Sequence, residues 1–129
     1  MGKDISRFPV YLGRGATVVS EPEFTGMDWY EAHALRHVGD GYEGRLVSMF
    51  RFDSAWETWE MHPHGHELVL CTAGSITLIQ EIDGEHVRTT LSPGEYAINA
   101  PRVWHTADVE TSATAVFITS GTGTQHRPR

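Results

Sequence analysis

The chain has 129 residues, of which 40% are hydrophobic and 21% charged, so it can bury one core and lacks the composition of a disordered protein. Its 17 acidic and 10 basic residues give a formal net charge of -7, and the basic residues are scattered, which excludes a nucleic-acid partner. No stretch is long and apolar enough to predict a membrane partner, and the single cysteine, Cys71, excludes a disulfide framework and predicts a cytoplasmic location.

The N-terminal third of the chain predicts little regular structure. Two short apolar pieces, Val10–Leu12 and 17–20, indicate edge strands among Pro, Gly and polar residues. Asp28 is a suitable N-cap for a helix, so we expect at most one short helix, near residues 28–38. Residues 1–44 are therefore predicted to be an extension of the domain that follows.

The remainder of the chain predicts an all-β fold. Runs rich in β-branched, aromatic and aliphatic residues alternate with Gly, Asp, Ser and Pro, and Asp83-Gly84 between two runs is a strong signal for a two-residue hairpin. The runs cover residues 45–53, 56–62, 66–72, 75–82, 85–91, 95–100, 103–109 and 113–120. Short strands without helices between them predict a sandwich or barrel, with its core at about 45–120 and a polar, mobile tail over 121–129. Residues 1–129 are expected to form one domain.

Two of these runs are apolar on both faces. In residues 67–71 and 75–79 the hydrophobic side chains do not alternate strictly with polar ones. This is expected where one face of a strand lines an interior and the other meets a second sheet or a partner chain.

A histidine-rich segment carries the first chemical signal. His62, His64 and His66 stand at alternate positions, and alternate side chains of a strand share a face. Converging imidazoles bind a divalent metal such as Zn, Fe, Mn, Ni or Cu, and Glu67 adds an oxygen ligand. An exposed loop with solvated histidines would explain the same residues. A second segment decides between the two: Gly94 opens a turn and a strand that lead to a lone histidine, His105.

Together the two segments resemble the paired sequence motifs of the cupins. His62 and His64 match the paired histidines, the expected six residues separate Glu67 from Gly74, and His105 follows the glycine of the second segment at the family's spacing. The resemblance implies a cupin-type double-stranded β-helix, which is a jelly-roll barrel. It also implies one divalent metal ion, of unknown identity, bound by His62, His64, Glu67 and His105.

The spacing departs from the motif at one point. One residue fewer than the motif requires stands between His64 and Glu67. A strand that continues straight would turn Glu67 away and place His66 at the metal as its substitute, whereas a bulge or turn at Gly65 would return Glu67 to the site. Because the interval from Glu67 to the motif glycine is intact, we favour Glu67.

The resemblance implies a metal-binding cupin that acts on or binds a small molecule, as a metal-dependent oxidoreductase or isomerase. The sequence assigns no catalytic residue and leaves open whether the chain is an enzyme, since the fold hosts many chemistries. Two alternatives remain: a non-catalytic module that binds or senses a small ligand or a metal, and a cupin that has lost its metal. The resemblance further implies a homodimer.

Overall fold

The structure is a computed structural model that describes residues 1–129. Its strands are β1 (Val10–Leu12), β2 (Val18–Ser20), β3 (Arg45–Phe52), β4 (Thr58–Met61), β5 (Glu67–Gly74), β6 (Ile76–Ile82), β7 (Glu85–Leu91), β8 (Tyr96–Asn99), β9 (His105–Asp108), β10 (Ala113–Thr119) and β11 (Gln125–Pro128). One α-helix, α1 (Asp28–Arg36), lies between β2 and β3, and single 3-10 turns cover Arg14–Ala16 and Val38–Asp40.

The strands form two antiparallel sheets. The six-stranded sheet has the order β2-β1-β3-β10-β5-β8, and the five-stranded sheet has the order β11-β4-β9-β6-β7. From β3 onward the chain passes from one sheet to the other at every step except the β6–β7 hairpin. This is a jelly-roll arrangement, so the predicted all-β class, the eight predicted strand segments and the single short helix are confirmed.

Side chains between the two sheets form the core. On β5, Val69 and Cys71 are fully buried, while Leu68 and Leu70 face outward and are half-buried. The fully apolar inner positions of both sheets pack together, namely Val69, Cys71, Ile76, Leu91, Ala107, Val109, Ala113, Ala115 and Phe117. The β6–β7 hairpin turns at Asp83 and Gly84, whose φ angles of 52° and 78° are the positive values that a type I′ turn requires.

The C-terminal segment differs from the prediction of a mobile tail. Residues 125–128 form β11, which pairs with β4 from Gln125 opposite Met61 to Pro128 opposite Thr58. The segment is polar, so its composition gave no strand signal. It is fixed instead by backbone pairing and by ion pairs on its two faces, His126 with Glu60 and Arg127 with Glu81.

No helix in the structure combines the length and the apolar composition that crossing a bilayer would need. The cytoplasmic location and the single-domain organisation stay predictions.

Gly74, at the end of β5, provides a test of the fold. Its φ is +69°, and a Cβ added there would lie 2.1 Å from the Ser112 carbonyl oxygen, a backbone atom that cannot rotate away. Gly74→Ala is therefore expected to lower the free energy of unfolding by about 3 kcal/mol or more, from backbone strain plus overpacking. Urea denaturation followed by circular dichroism measures this loss.

The matched control is Gly84→Ala. Gly84 has a similar φ of +78° but no heavy atom within 4 Å of the added Cβ, so only the conformational strain of about 1 kcal/mol applies. Equal losses in the two variants would show that the close approach to Ser112 does not constrain the β5–β10 pairing.

Candidate metal centre

Three side chains from three strands converge at one end of the sandwich. His62 follows β4 directly, Glu67 is the first residue of β5, and His105 is the first residue of β9. His62 Nε2 lies 3.2 Å from one carboxylate oxygen of Glu67, and His105 Nε2 lies 3.2 Å from the other. All three residues are buried, and His105 is fully inaccessible.

The hydrogen bonds behind the two imidazoles fix their tautomers. His105 Nδ1 lies 3.3 Å from the Val103 carbonyl oxygen, which can only accept, so Nδ1 carries a proton. His62 Nδ1 lies 2.8 Å from Thr124 Oγ1, and that hydroxyl already donates its proton to the Gly121 carbonyl oxygen at 2.8 Å. His62 Nδ1 must therefore be the donor. In the neutral form, each imidazole then turns an unprotonated Nε2 toward Glu67.

Hydrogen bonds also fix the orientation of the Glu67 carboxylate. Asn99 Nδ2 donates to Oε1 at 3.0 Å, and the Thr119 hydroxyl donates to Oε2 at 2.5 Å. Asn99 is itself oriented by Gln80, whose amide donates to Asn99 Oδ1 at 2.8 Å. The carboxylate thus keeps a single orientation, with both oxygens available to the two imidazoles.

The sequence prediction did not include Glu60 among the ligands, although the structure places it at the centre. Glu60 and His105 are directly opposite each other on β4 and β9, and Glu60 and His126 are opposite on β4 and β11. Glu60 Oε2 is 3.8 Å from His105 Nε2, and Glu60 Oε1 is 3.0 Å from His126 Nε2. A signal existed in the sequence: Glu60 precedes His62 by two residues, so it shares the inward face of β4.

His64 and His66 lie outside this group. The chain between β4 and β5 makes a turn at residues 63–65, so the strand alternation that would align three histidines ends at His62. His64 is exposed and stacks on Tyr42, with ring centroids 3.9 Å apart. His66 is exposed as well. Of the predicted ligands, the structure therefore brings together His62, Glu67 and His105, but not His64.

The turn depends on a close approach at Gly65. A Cβ at Gly65 would lie 2.7 Å from Ser120 Cβ, so only glycine lets the turn pack against the end of β10. The strand is therefore interrupted by a turn, one of the two alternatives, a bulge or a turn, that were expected at Gly65. The turn leaves Glu67 pointing inward, as the intact interval to Gly74 indicates.

The charges of neighbouring side chains determine the protonation of His105 and Glu67. Burial would lower the pKa of His105, but the Glu60 and Glu67 carboxylates outweigh it and raise that pKa to about 9. Burial would likewise raise the pKa of Glu67, but His105 and His62 outweigh it and hold that pKa well below its usual range. The centre therefore requires a positive charge between the imidazoles and the carboxylates, which either a proton or a metal cation can supply.

The donor set fits a divalent metal ion. One ligand atom from each of Glu60, His62 and His105 lies within 4.8 Å of those of the other two. The Nε2 atoms of His62 and His105 are buried and make no hydrogen bond, although most buried polar atoms are paired. Two imidazoles with two carboxylates are ligands that Zn, Fe and Mn all accept.

A cavity of about 1460 Å³ opens above the centre. Its floor includes Glu60, His62 and Glu67, and its roof includes Tyr30 and Leu35 from α1. Burial, followed by the charges of Glu60 and Glu67, raises the pKa of Tyr30 to about 12, so its hydroxyl stays protonated at neutral pH. Helix α1 thus acts as a cover between the centre and solvent.

A network around Glu21 anchors this cover. Glu21 is buried, accepts from Arg36 at 2.9 Å, and lies 2.5 Å from His37 Nε2. His33 Nδ1 is 3.6 Å away, and Tyr11 stacks on His37 with ring centroids 3.7 Å apart. The two histidines, at i and i+4 on the helix, could hold a metal with Glu21, but Arg36 already neutralises that carboxylate. The network therefore ties α1 to β1.

Cys71 does not take part in the site. It is fully buried in the core, and burial raises the pKa of its thiol. A neutral, inaccessible thiol is neither a metal ligand nor a nucleophile.

Comparison with known proteins rests on structure alone. No protein-family profile matches the chain, and no curated protein matches it. Among solved structures, oxalate oxidase aligns with 62% of this chain and 44% of its own at 14% identity and a TM-score of 0.54. Peruvianin-I, a cysteine peptidase from the latex of Thevetia peruviana, aligns with 66% and 55% of the two chains at 21% identity and a TM-score of 0.53.

Hydroquinone 1,2-dioxygenase PnpCD, solved with Cd2+ and 4-hydroxybenzonitrile, aligns with 58% of this chain and 56% of its own at 11% identity and a TM-score of 0.52. The chain has the cupin fold. The aligned parts are about half of each of the three solved chains, and at these identities the likeness of cupin structures concerns the fold alone.

Glu21→Gln tests the anchor of the helical cover. The substitution leaves Arg36 facing a neutral, buried amide, so we expect the free energy of unfolding at neutral pH to fall by about 2 kcal/mol. Glu23→Gln is the matched control, because Glu23 pairs with Arg7 on the surface and such pairs contribute about 1 kcal/mol or less.

The pH dependence has a definite sign. Burial would raise the pKa of Glu21, but Arg36 and His37 outweigh it and lower that pKa below its ordinary value of 4.5. A depressed folded-state pKa gives stability that is present above pH 4.5 and is lost as the pH falls through the folded pKa. The difference between wild type and Glu21→Gln should shrink over that range in urea titrations. A constant difference would mean that Glu21 is not ionised in the folded chain.

Proposed function

We propose that residues 1–129 form one cupin domain that is a metal-dependent oxidoreductase acting on a small molecule. The ion is held by His62, Glu67 and His105, with Glu60 as the fourth ligand in place of the expected His64. The cupins oxalate oxidase and hydroquinone 1,2-dioxygenase, which share this fold, are oxidoreductases by name and support the class of reaction.

One observation carries the proposal. Two buried imidazoles, each with its tautomer fixed from behind, turn unpaired Nε2 atoms toward one buried carboxylate. Stability alone would favour apolar residues at such a place, because burying three ionisable groups is costly. A cation between the three groups makes the arrangement favourable.

The ligand set favours particular metals. Two carboxylates and two imidazoles form a harder set than the three histidines and one carboxylate expected from the sequence resemblance. Carboxylates suit Mn, and imidazoles suit Fe and Zn, so we expect Mn or Fe rather than Cu. A bound ion would supply Lewis acidity and, as Fe or Mn, one-electron redox chemistry.

Two polar side chains that line the cavity, Glu60 and Tyr30, can contact a bound molecule. Burial would raise the pKa of Glu60, but His105 outweighs it and lowers that pKa, so Glu60, which reaches from the centre to His126 at the cavity wall, presents a hydrogen-bond acceptor to a bound molecule. Tyr30, protonated at neutral pH, presents a hydrogen-bond donor from the cover.

Metal analysis of untagged protein tests the centre. We expect about one Mn or Fe per chain by elemental mass spectrometry, and none in His105→Ala, which should stay folded because the apolar core is separate from the site. Glu67→Gln should weaken metal binding more than tenfold, a loss above about 1.4 kcal/mol.

His64→Gln and His66→Gln are the matched controls and should leave metal affinity within twofold of wild type. If His64→Gln is as damaging as Glu67→Gln, His64 turns away from Tyr42 to bind the ion, and the ligand set implied by the sequence resemblance is correct. If the wild-type protein contains no metal and takes none up, the proposed function is wrong and a metal-free binding module remains.

We also propose that the chain forms a homodimer through the outer face of the six-stranded sheet. Two unbroken apolar rows cross this face, with members opposite one another on neighbouring strands. The rows are Ile98, Leu68, Ile118, Val47 and Val10, and Tyr96, Leu70, Val116 and Met49. None of the nine is fully buried, and Tyr96 and Ile98 are 62% and 52% exposed. A contiguous apolar patch of this kind marks an interface, and a second copy presents the same uncharged surface.

Ile98→Asp tests this surface. A charge on a self-complementary apolar face would be buried unpaired in the dimer, so light scattering after gel filtration should show the mass of a monomer. Val87→Asp is the control, because Val87 is 42% exposed on β7, away from this face, and should stay dimeric. A wild-type protein that elutes as a monomer at micromolar concentration would overturn the dimer.

A further inference from the structure

Aromatic side chains form one wall of the cavity above the candidate metal centre. They come from the segment before α1, from α1, from β3, from the β3–β4 loop and from β10. The wall consists of Phe24, Tyr30, Phe50, Phe52, Trp56 and Phe117. The sequence contains 13 Phe, Trp and Tyr residues, of which eight line this one cavity and six form this wall.

The rings form a continuous path from the cover to the centre. Phe24 contacts Phe50 with ring centroids 5.5 Å apart, and Phe52 contacts Trp56 at 5.5 Å. Phe50 and Phe52 are 6.4 Å apart, which joins the two pairs. Trp56 then reaches the imidazole of His105 at 6.2 Å. A planar molecule lying along this path would meet ring faces and edges at each step, at the spacings that aromatic pairs prefer.

The cavity offers no unpaired basic group to an anionic ligand. The histidines that line it each lie beside a glutamate carboxylate, namely His33, His37, His62 and His126. Its acidic lining residues are Glu31, Asp53, Glu57, Glu60 and Glu67. Arg51 is the one arginine that lines it, there is no lysine, and the Arg51 side chain is 65% exposed and paired with Asp53 at 2.9 Å. A carboxylate entering the cavity would therefore lose its hydration without gaining a charged partner.

The metal centre would not attract an anion either. Glu60 and Glu67 together carry two negative charges, which balance the charge of a divalent ion. A set of three histidines and one carboxylate would leave a net positive charge at the same place. The ligand set of this chain therefore lowers the electrostatic gain from an anionic substrate.

We propose that the cavity selects neutral compounds with two or more aromatic rings that carry a hydroxyl or carbonyl oxygen, and that it rejects carboxylates. The preference for an oxygen rests on the proposed function, because this oxygen would face the metal centre. The preference for rings does not, because the aromatic wall alone recognises them. A cavity of about 150 Å³ already holds one benzene ring. The cavity here measures about 1460 Å³, so a single ring would leave most of the wall uncovered.

Three matched probes test the inference by equilibrium dialysis at pH 7 with metal-loaded protein. 2-Naphthol is neutral and aromatic, 2-naphthoate has the same rings with a negative charge, and decahydro-2-naphthol is neutral with saturated rings. We expect 2-naphthol to bind at least tenfold more tightly than either of the other two. Equal or tighter binding of 2-naphthoate, equal binding of the saturated alcohol, or no binding of 2-naphthol would each overturn the inference.

A variant pair ties the binding to the wall. Phe50→Leu removes the ring that links Phe24 to Phe52 and should weaken 2-naphthol binding about fivefold, the scale of one lost aromatic contact. Phe8→Leu is the control, because Phe8 lies outside the cavity, and it should bind as wild type. Equal effects of the two substitutions would contradict a role for the wall.

Metal-free protein separates this inference from the proposed function. Binding of 2-naphthol with the expected selectivity, in protein that takes up no metal, would support the ligand class and refute the metal-dependent activity. Stoichiometric metal in protein that prefers 2-naphthoate would support the metal centre and refute the proposed ligand class.

Discussion

The buried carboxylate of Glu67 is the constraint on which the rest of the centre depends. It lies between two imidazoles at 3.2 Å each, and Asn99 and Thr119 fix its orientation. Residues from both sheets meet at this carboxylate, since Glu67 belongs to the six-stranded sheet and His105 to the five-stranded sheet. At this end of the sandwich, charged side chains therefore connect the two sheets. In the core between the sheets, apolar packing connects them.

The N-terminal segment completes the sandwich in two ways. β1 and β2 widen the six-stranded sheet, and α1 lines the cavity above the centre. Helix α1 is short and has one fully buried residue, Trp29, so its position depends on specific links more than on a broad apolar face. These links are the ionic network at Glu21 and the contact of Trp29 with Phe24, which brings the cover into the aromatic wall.

The strands could be predicted because their signal is local. β-branched runs separated by turn residues give the sheet elements, and the motif spacing gives the fold. The site was less predictable, because the turn at residues 63–65 decides which side chains point inward, and a backbone turn is not encoded by residue type alone. His64 consequently faces Tyr42, and Glu60 occupies the inward position on β4 that lies opposite His105. β11 could not be predicted because its stability comes from pairing with β4, a contact distant in sequence.

β11 has a consequence for the order in which the protein assembles. Thr124, just before β11, fixes the tautomer of His62, and His126, within β11, pairs with Glu60. Both residues therefore follow Glu60 in the chain by more than sixty positions. A growing chain exposes β3 to β10 to the cell before these residues leave the ribosome, since synthesis proceeds from the N-terminus. During that interval the side chains of the centre are present but do not have their final orientation. Under the proposed function, uptake of the metal would therefore depend on the completion of this strand.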